Sequence, residues 1–449
     1  MNSSARLGVA AGAVVLLTLS TTGATVATEP PDVEVSGSLF GYGFGYETGD
    51  DIAKSRVDVF REAYPDVEIS FSESGTEAQG LLAALASDDP PDMVYVPRNE
   101  AGTYIARGVL APLDDCVEQQ GIDTSMFIES SLEQVTVDDT LYAIPEFFNT
   151  RVWILNNRVF EEAGIDPATV DLSDWDALVE LNEQLTVSDG GDVTRIGLDP
   201  KLPEFLPLWA WGNGAPMISE DGLTAQLDDP GVVEALELTS RFLEPYGGFT
   251  AYQDFKSTFD VFGAENPFAT DQIGGTLWEQ WYLNVLAQNS PDVDITVRPF
   301  ETREGEPLTW SDGNSWAIPT NSPNPEAACA FIATMTATDT WVQAAQARTD
   351  AAVEEGTPAT GTFTANREAD ETIFSDVVQL DDYPVFADAV QVVLENQEAS
   401  FGLPPSPASA EFQTAWQTGV TSALGGEDPA DAMSTAQQDA QDAIDSAAR

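Results

Sequence analysis

Aromatic rings and hydrogen-bonding side chains crowd a handful of loops in this chain. Tyr42, Phe44 and Tyr46 share one glycine-rich loop, and Glu77 closes a second that begins at Glu73. Arg98 opens a third, while Glu146, Asn149 and Arg151 form a polar knot among Phe147, Phe148 and Trp153. Tryptophans recur in pairs at 209/211, 278/281 and 310/316, with Asp312 inside the last pair. Carbohydrates use this combination: their C–H faces pack on aromatic rings, and their hydroxyls need paired donors and acceptors from Asp, Glu, Asn and Arg. Trp278 stands out, because it ends an apolar strand after two glycines and precedes a helix start, so its ring can project into a cleft. Trp211 is similarly placed beside Gly212, Asn213 and Gly214. Structural explanations compete at each point. A lone tryptophan is more often core than platform, which is the reading for Trp153, Trp175, Trp341 and Trp416. Trp281, one helical turn past Trp278, reads as packing. Arg98 and Arg151 are as well explained by salt bridges in an acidic protein as by a ligand. Glu146 and Asp312 are the carboxylates placed to accept from hydroxyls.

The chain of 449 residues contains no histidine. That removes Ser-His-Asp and Cys-His catalysis, His-ligated zinc and a histidine pH switch, so an enzyme would have to rest mainly on carboxylates. Neither a GxxxxGK[ST] phosphate loop nor a DxDxDG calcium loop occurs, and no metal or cofactor is assigned. Acidic residues number 76 against 17 basic ones, with only three lysines (Lys54, Lys201, Lys256) and a net charge of −59. Such a field repels nucleic acid and anionic lipid surfaces. High charge also fits disorder, but ten Trp and 22 Phe spread along the chain favour a folded protein with an acidic shell. Residues 1–28 read as a secretory signal: Arg6, an apolar run Leu7–Leu19, then small residues to Ala27. No cysteine follows that run, so a secreted protein without a lipid anchor is expected, acting outside the cytoplasmic membrane in an extracellular or periplasmic space. Cys116 and Cys329 allow a disulfide in such a compartment; two separate buried thiols are the alternative, since Cys329 sits on the apolar face of AACAFIATM.

The elements that must position these loops alternate. Val33–Phe40 reads as a strand, the next helix has apolar residues at Ala53, Val57, Phe60 and Tyr64, and VEISF and MVYVP are further strands. This β-α-β rhythm predicts an open, largely parallel sheet flanked by helices, with ligands at the carboxyl ends of strands. VWIL (Val152–Leu155), IGGTLW (Ile273–Trp278), VDITVRPF and SWAIPT continue the strands, and the acidic, alanine-rich last twenty residues read as a helix.

Taken in order, FREAYPDVEISF, LLAALASDDPPDMVYV, YIARGVLAPLDD, YAIPEFFNTRVWILNNRVFEEAGIDP and SDWDAL resemble the extracellular solute-binding proteins of sugar ABC transporters, the maltose-binding-protein-like family 1. The resemblance covers nearly the whole mature chain. It implies an α/β fold of two lobes (type II), each an open, mostly parallel sheet flanked by helices, joined by a hinge. The first lobe would take 36–146 plus 296–345 and the second 147–295 plus 346–449. Gly275 to Trp278 resembles the segment that stacks on ligand, and SDGNS before Trp316 looks like the family's glycine-containing loop. Both cysteines would fall in the first lobe, which favours their pairing. The implied function is capture of a sugar or oligosaccharide by hinge closure and delivery to permease subunits, by a monomer that is not an enzyme. Two rivals remain open: the same fold binding a polyamine or peptide, and a secreted glycosidase using two carboxylates.

Overall fold

The computed structural model describes residues 35–46, 51–72, 78–87 and 89–449. The expected signal segment and Glu77 lie outside them. In chain order the strands are β1 (Gly37–Tyr42), β2 (Val67–Ser72), β3 (Met93–Pro97), β4 (Thr136–Val137), β5 (Thr140–Leu141), β6 (Ala143–Pro145) and β7 (Arg151–Asn156). They continue as β8 (Val187–Asp189), β9 (Asp192–Asp199), β10 (Ile273–Glu279), β11 (Ile295–Glu301), β12 (Pro307–Trp310), β13 (Asn314–Ala317) and β14 (Ser400–Phe401).

Two sheets carry the fold, one of five strands (β2-β1-β3-β13-β6) and one of seven (β14-β12-β11-β7-β10-β9-β8). Strands β7 and β10 have apolar runs without alternation because both of their faces are covered. One face of β7 places Trp153 and Leu155 in a core with Trp175, Trp209, Leu277 and Trp416. The other places Val152 and Ile154 against Tyr282, Leu286, Val297 and Val393. Helix Asp51–Ala63 buries Ile52, Ala53, Val57 and Phe60 on a single stripe. Helix Trp175–Leu185 starts where Asp174 accepts from the Ala177 amide, and helix Pro429–Ala447 starts where Asp428 accepts from Ala430 and Asp431, both N-caps.

The structure differs from the sequence reading in two respects. The seven-stranded sheet is mixed rather than mostly parallel, with β7 running against β10 and β11; in the five-stranded sheet β1, β2, β3 and β6 run one way and β13 the other. Strands β7 and β13 each start just after the chain has crossed between sheets, so each enters at the edge where its neighbours end. The division of the chain also shifts. Residues 296–310, expected with the first lobe, pair in the seven-stranded sheet through β11 and β12. Conversely Ala369, Ile373 and Val377, expected with the second, pack with Trp341 and with Ile52 of the first-lobe helix. Cys116, on helix Asp114–Gln120, and Cys329, on helix Pro325–Thr336, form a disulfide with Cα atoms 5.7 Å apart.

Candidate functional site

The chain leaves the five-stranded sheet after β6 and enters the seven-stranded one at β7; it returns between β12 and β13 and crosses once more before β14. The first two crossings touch. The Asn149 amide donates to the Asp312 carbonyl at 2.9 Å, and the Asn149 side chain donates to Asp312 Oδ1 at 2.8 Å. Arg151 Nη2 meets Asp312 Oδ2 at 2.7 Å and lies 3.7 Å from Glu279 Oε1. The Arg151 guanidinium sits 4.1 Å over the Trp310 ring and donates to the Trp310 carbonyl. Arg98 braces the same point, donating to the Asp312 carbonyl at 2.5 Å, to the Asn314 carbonyl at 3.2 Å, to Gln134 Oε1 at 3.0 Å and to the Phe147 carbonyl. Gly313 is required between them: its φ is +144°, and a Cβ there would stand 2.3 Å from the Phe147 carbonyl oxygen. Burial alone would raise the Asp312 carboxyl, but the Arg151 charge, with hydrogen bonds from Arg151 and Asn149, holds it below its usual range. Burial pushes Arg98 down to about 10 despite the nearby Asp312.

This network adjoins a second cluster by one step of register, since Glu279 pairs with Arg151 and Trp278 with Val152. Trp278 is only 8% exposed. Tyr282 stacks on it with centroids 4.4 Å apart and planes 21° from parallel. Lys201 Nζ lies 3.5 Å from the Trp278 ring centroid, and there is no room for it on the face that Tyr282 occupies, so it covers the other one. Lys201 is set by a left-handed backbone (φ 61°) and by its amide donating to Asp199 Oδ1 at 2.8 Å. Buried Asp199 also accepts from the Tyr252 hydroxyl at 2.5 Å and pairs with Lys256 at 2.9 Å. Burial works against its charge, yet Lys256 and Lys201 together hold the Asp199 carboxyl below its usual range. Beyond Trp278, Trp281 packs edge-on at 6.1 Å, and Phe262 stacks on Trp281 at 6.2 Å. Phe262 is 66% exposed, so the accessible aromatic surface at this strand end is Phe262 with half-buried Trp281.

Several expected ligand residues are buried against other side chains. Trp316 is fully buried among Phe44, Tyr95 and Phe331, and Phe44 is buried with it, so neither ring has a free face. Glu146 is fully buried in an ion pair with Arg56, whose guanidinium lies 3.8 Å over the Trp341 ring. Arg98 is likewise buried, with its donors turned to carbonyls and Gln134. Trp278 reaches the strand end but is sandwiched. Tyr42, the last residue of β1, and Tyr46 beyond it are half-buried, with Arg61 Nη1 donating to the Tyr46 hydroxyl at 2.5 Å. Half-buried Trp211 stacks on Phe401 at 4.2 Å. The structure therefore gathers Arg98, Asn149, Arg151 and Asp312 into one network, places Trp278 beside it, and leaves the other rings elsewhere. Sequence reasoning missed Phe262 and the Asp199–Lys201–Lys256 group. The signal for the first was an apolar residue in the turn-rich stretch DVFGAENP; for the second, it was two of only three lysines, Lys201 just past the strand ending at Asp199 and Lys256 closing the helix Phe249–Lys256.

Among the described residues no group of three His, Cys, Asp or Glu side chains is arranged to hold a metal ion. No described helix is long and apolar enough to cross a membrane. Residues 55–371 match the family described as bacterial extracellular solute-binding protein. The chain belongs to that family. Among related sequences, the diacetylchitobiose binding protein DasA of Streptomyces coelicolor is 27% identical over 174 residues, 36% of this chain and 37% of that protein. The xylose/arabinose-binding protein XacG of Haloferax volcanii is 27% identical over 222 residues, 46% of each chain. The chain thus spans less than half the length of the curated relatives it matches. Among solved structures, CpMnBP1 with mannotriose bound superimposes with a TM-score of 0.72 at 22% identity, covering 90% of this chain and 99% of that one. The GacH receptor of Streptomyces glaucescens gives 0.70 at 15% identity, covering 92% and 99%. The fold is that of the two-lobe solute-binding proteins, whose family and relatives are binding proteins rather than enzymes.

Proposed function

We propose that this protein is the substrate-binding component of an ABC importer, capturing a sugar or oligosaccharide between its lobes and passing it to membrane permease subunits. The observation that carries this reading is the adjacency of two unlike surfaces. The network of Asn149, Arg151 and Asp312 offers paired donors and acceptors, and Glu279 joins it to an aromatic group of Trp278, Trp281 and Phe262. Hydroxyls suit the first and a sugar's C–H face the second. The crossings at 146–150 and 311–313 would serve as the hinge, so closure and ligand contact share the same residues. The protein would work as a secreted monomer that does no chemistry and binds no nucleic acid. One observation favours a rival ligand: the Trp278 face already carries an ammonium, as it would with a polyamine.

Tryptophan fluorescence of the purified protein in molar KCl, titrated with mannotriose, maltotriose, diacetylchitobiose, lactose and putrescine, tests this directly. A saturable response to one sugar class, weakened by Asp312→Ala, supports the proposal. A response to putrescine alone would keep the fold and replace the ligand.

A further inference from the structure

We propose that Lys201 is a displaceable occupant of the Trp278 ring face, which ligand enters by exchange with its ammonium. The inference rests on the sugar-binding reading for its ligand, but the occupancy itself does not. A ring can stack a sugar only on a face that is free. Trp278 has one face against Tyr282 and the other under Lys201 Nζ at 3.5 Å. The two covers are not equivalent. Tyr282 is fully buried, belongs to a helix, and donates its hydroxyl to the Val261 carbonyl at 3.0 Å, so it cannot leave without breaking the core. Lys201 is half-buried at the start of a loop, and its hold on the ring is a cation–π contact at the end of four methylenes.

The surroundings give the released ammonium somewhere to go. Burial and the like charge of Lys256 lower the Lys201 pKa, while Asp199, Glu204 and Glu279 work to raise it. Asp199 is already engaged by Lys256 and Tyr252, whereas Glu204 is exposed and Glu279 lies on the Arg151 side. A swing of the side chain toward either carboxylate keeps the charge paired and bares the indole. The backbone does not have to move, because the left-handed turn and the amide bond to Asp199 fix the residue at its root. Lys201 is then a specificity-determining residue. A neutral sugar must replace a cation–π contact by C–H packing, and a ligand that brings its own ammonium restores what was lost.

Two measurements decide it. The first needs no ligand: acrylamide quenching of tryptophan fluorescence in the wild type, Lys201→Asn, Lys201→Arg and the double variant Lys201→Asn/Trp278→Phe. Asparagine tolerates the left-handed backbone but is too short to cover the ring, while arginine keeps a cation on it. The expected result is one newly quenched tryptophan in K201N, absent from K201N/W278F and from K201R. Unchanged quenching in K201N overturns the proposal. The second uses the unmodified protein, so it stands even if a variant fails to fold. Acetylation of Lys54, Lys201 and Lys256 is followed by mass spectrometry with and without the sugar of the panel that binds. Exchange raises the reactivity of Lys201 on binding, and K201N binds that sugar about 2- to 5-fold more tightly. Protection of Lys201 by the sugar would make it an ordinary ligand contact and refute exchange. If no sugar binds, the proposed function falls, and the quenching result still decides whether Lys201 covers the ring.

Discussion

Arg151 and Asp312, 161 residues apart in sequence, meet at 2.7 Å where two crossings of the chain lie side by side. Arg151 is 2% exposed and Asp312 21%, so the pair is shielded but not sealed. Removing Arg151 takes the ion-pair partner from a carboxylate with little water and leaves the Arg98 charge as its nearby support. Arg151→Met should cost about 2–4 kcal/mol in a urea melt, and adding Asp312→Asn should recover part of it. Additive losses would mean that the two residues stabilise the crossing independently. The pH sign follows from the depressed Asp312 pKa: its stabilisation is present above the unfolded value and is lost as pH falls through the folded one.

Asp370 has the opposite sign. Its carboxyl accepts from the Thr364 amide and hydroxyl and from Gln397, yet burial without a counter-charge pushes it up to about 7 from an ordinary 3.8. The folded state keeps a proton that the unfolded chain releases. The resulting stabilisation is full below the unfolded pKa and is lost as pH rises toward 7, by about 4 kcal/mol as an upper bound. Asp370→Asn should flatten the fall in Tm between pH 5 and 8. Equal slopes in mutant and wild type would refute this, and the shared repulsion of the other acids cancels in the comparison.

Trp316 and Phe262 should separate stability from binding. Trp316→Ala opens a cavity among Phe44, Tyr95 and Phe331 and should cost about 3–5 kcal/mol. Phe262→Ala should leave Tm within a degree or two while weakening sugar binding several-fold. The reverse pattern in thermal melts and titrations would return the ligand site to the first lobe.

Cys116 and Cys329, 213 residues apart, close a loop that runs through the seven-stranded sheet and back. Replacing both with serine should lower stability by about 2–5 kcal/mol. The check is a melt of the double variant beside the oxidised wild type.

With 76 acidic residues against 17 basic ones, self-repulsion should be screened by salt. Tm should rise by several degrees between low and molar KCl; a flat profile would show that the acidic shell places no strain on the fold.

Much of this organisation was legible in the chain. VWIL and IGGTLW announce strands covered on both faces, and Asp428-Pro429 announces the last helix, because these signals are local. The polar knot from Glu146 to Arg151 was also visible as the place where the chain changes sheets. Strand partners are not local. Residues 296–310 could hydrogen-bond in either sheet, and only the register of β11 on β7 decides. The same limit hid the burial of Trp316 and Phe44. Aromatic residues at strand ends can face a cleft or seal the core behind it, and the difference lies in Phe331, which arrives from a distant helix. Glu146 read as a hydroxyl acceptor because its partner, Arg56, sits on a helix 90 residues earlier.

The bond between Cys116 and Cys329 makes a covalent ring of the intervening chain, and β7 through β12 all lie inside it. A protease that nicks an exposed turn of the second sheet, such as Asp189–Asp192, would thus cut a ring and not release a fragment. Both ends stay tethered through the disulfide, and the break shows on a gel only after reduction. For a member of an extracellular family, a single backbone cleavage in the larger sheet and the loss of the molecule are separate events.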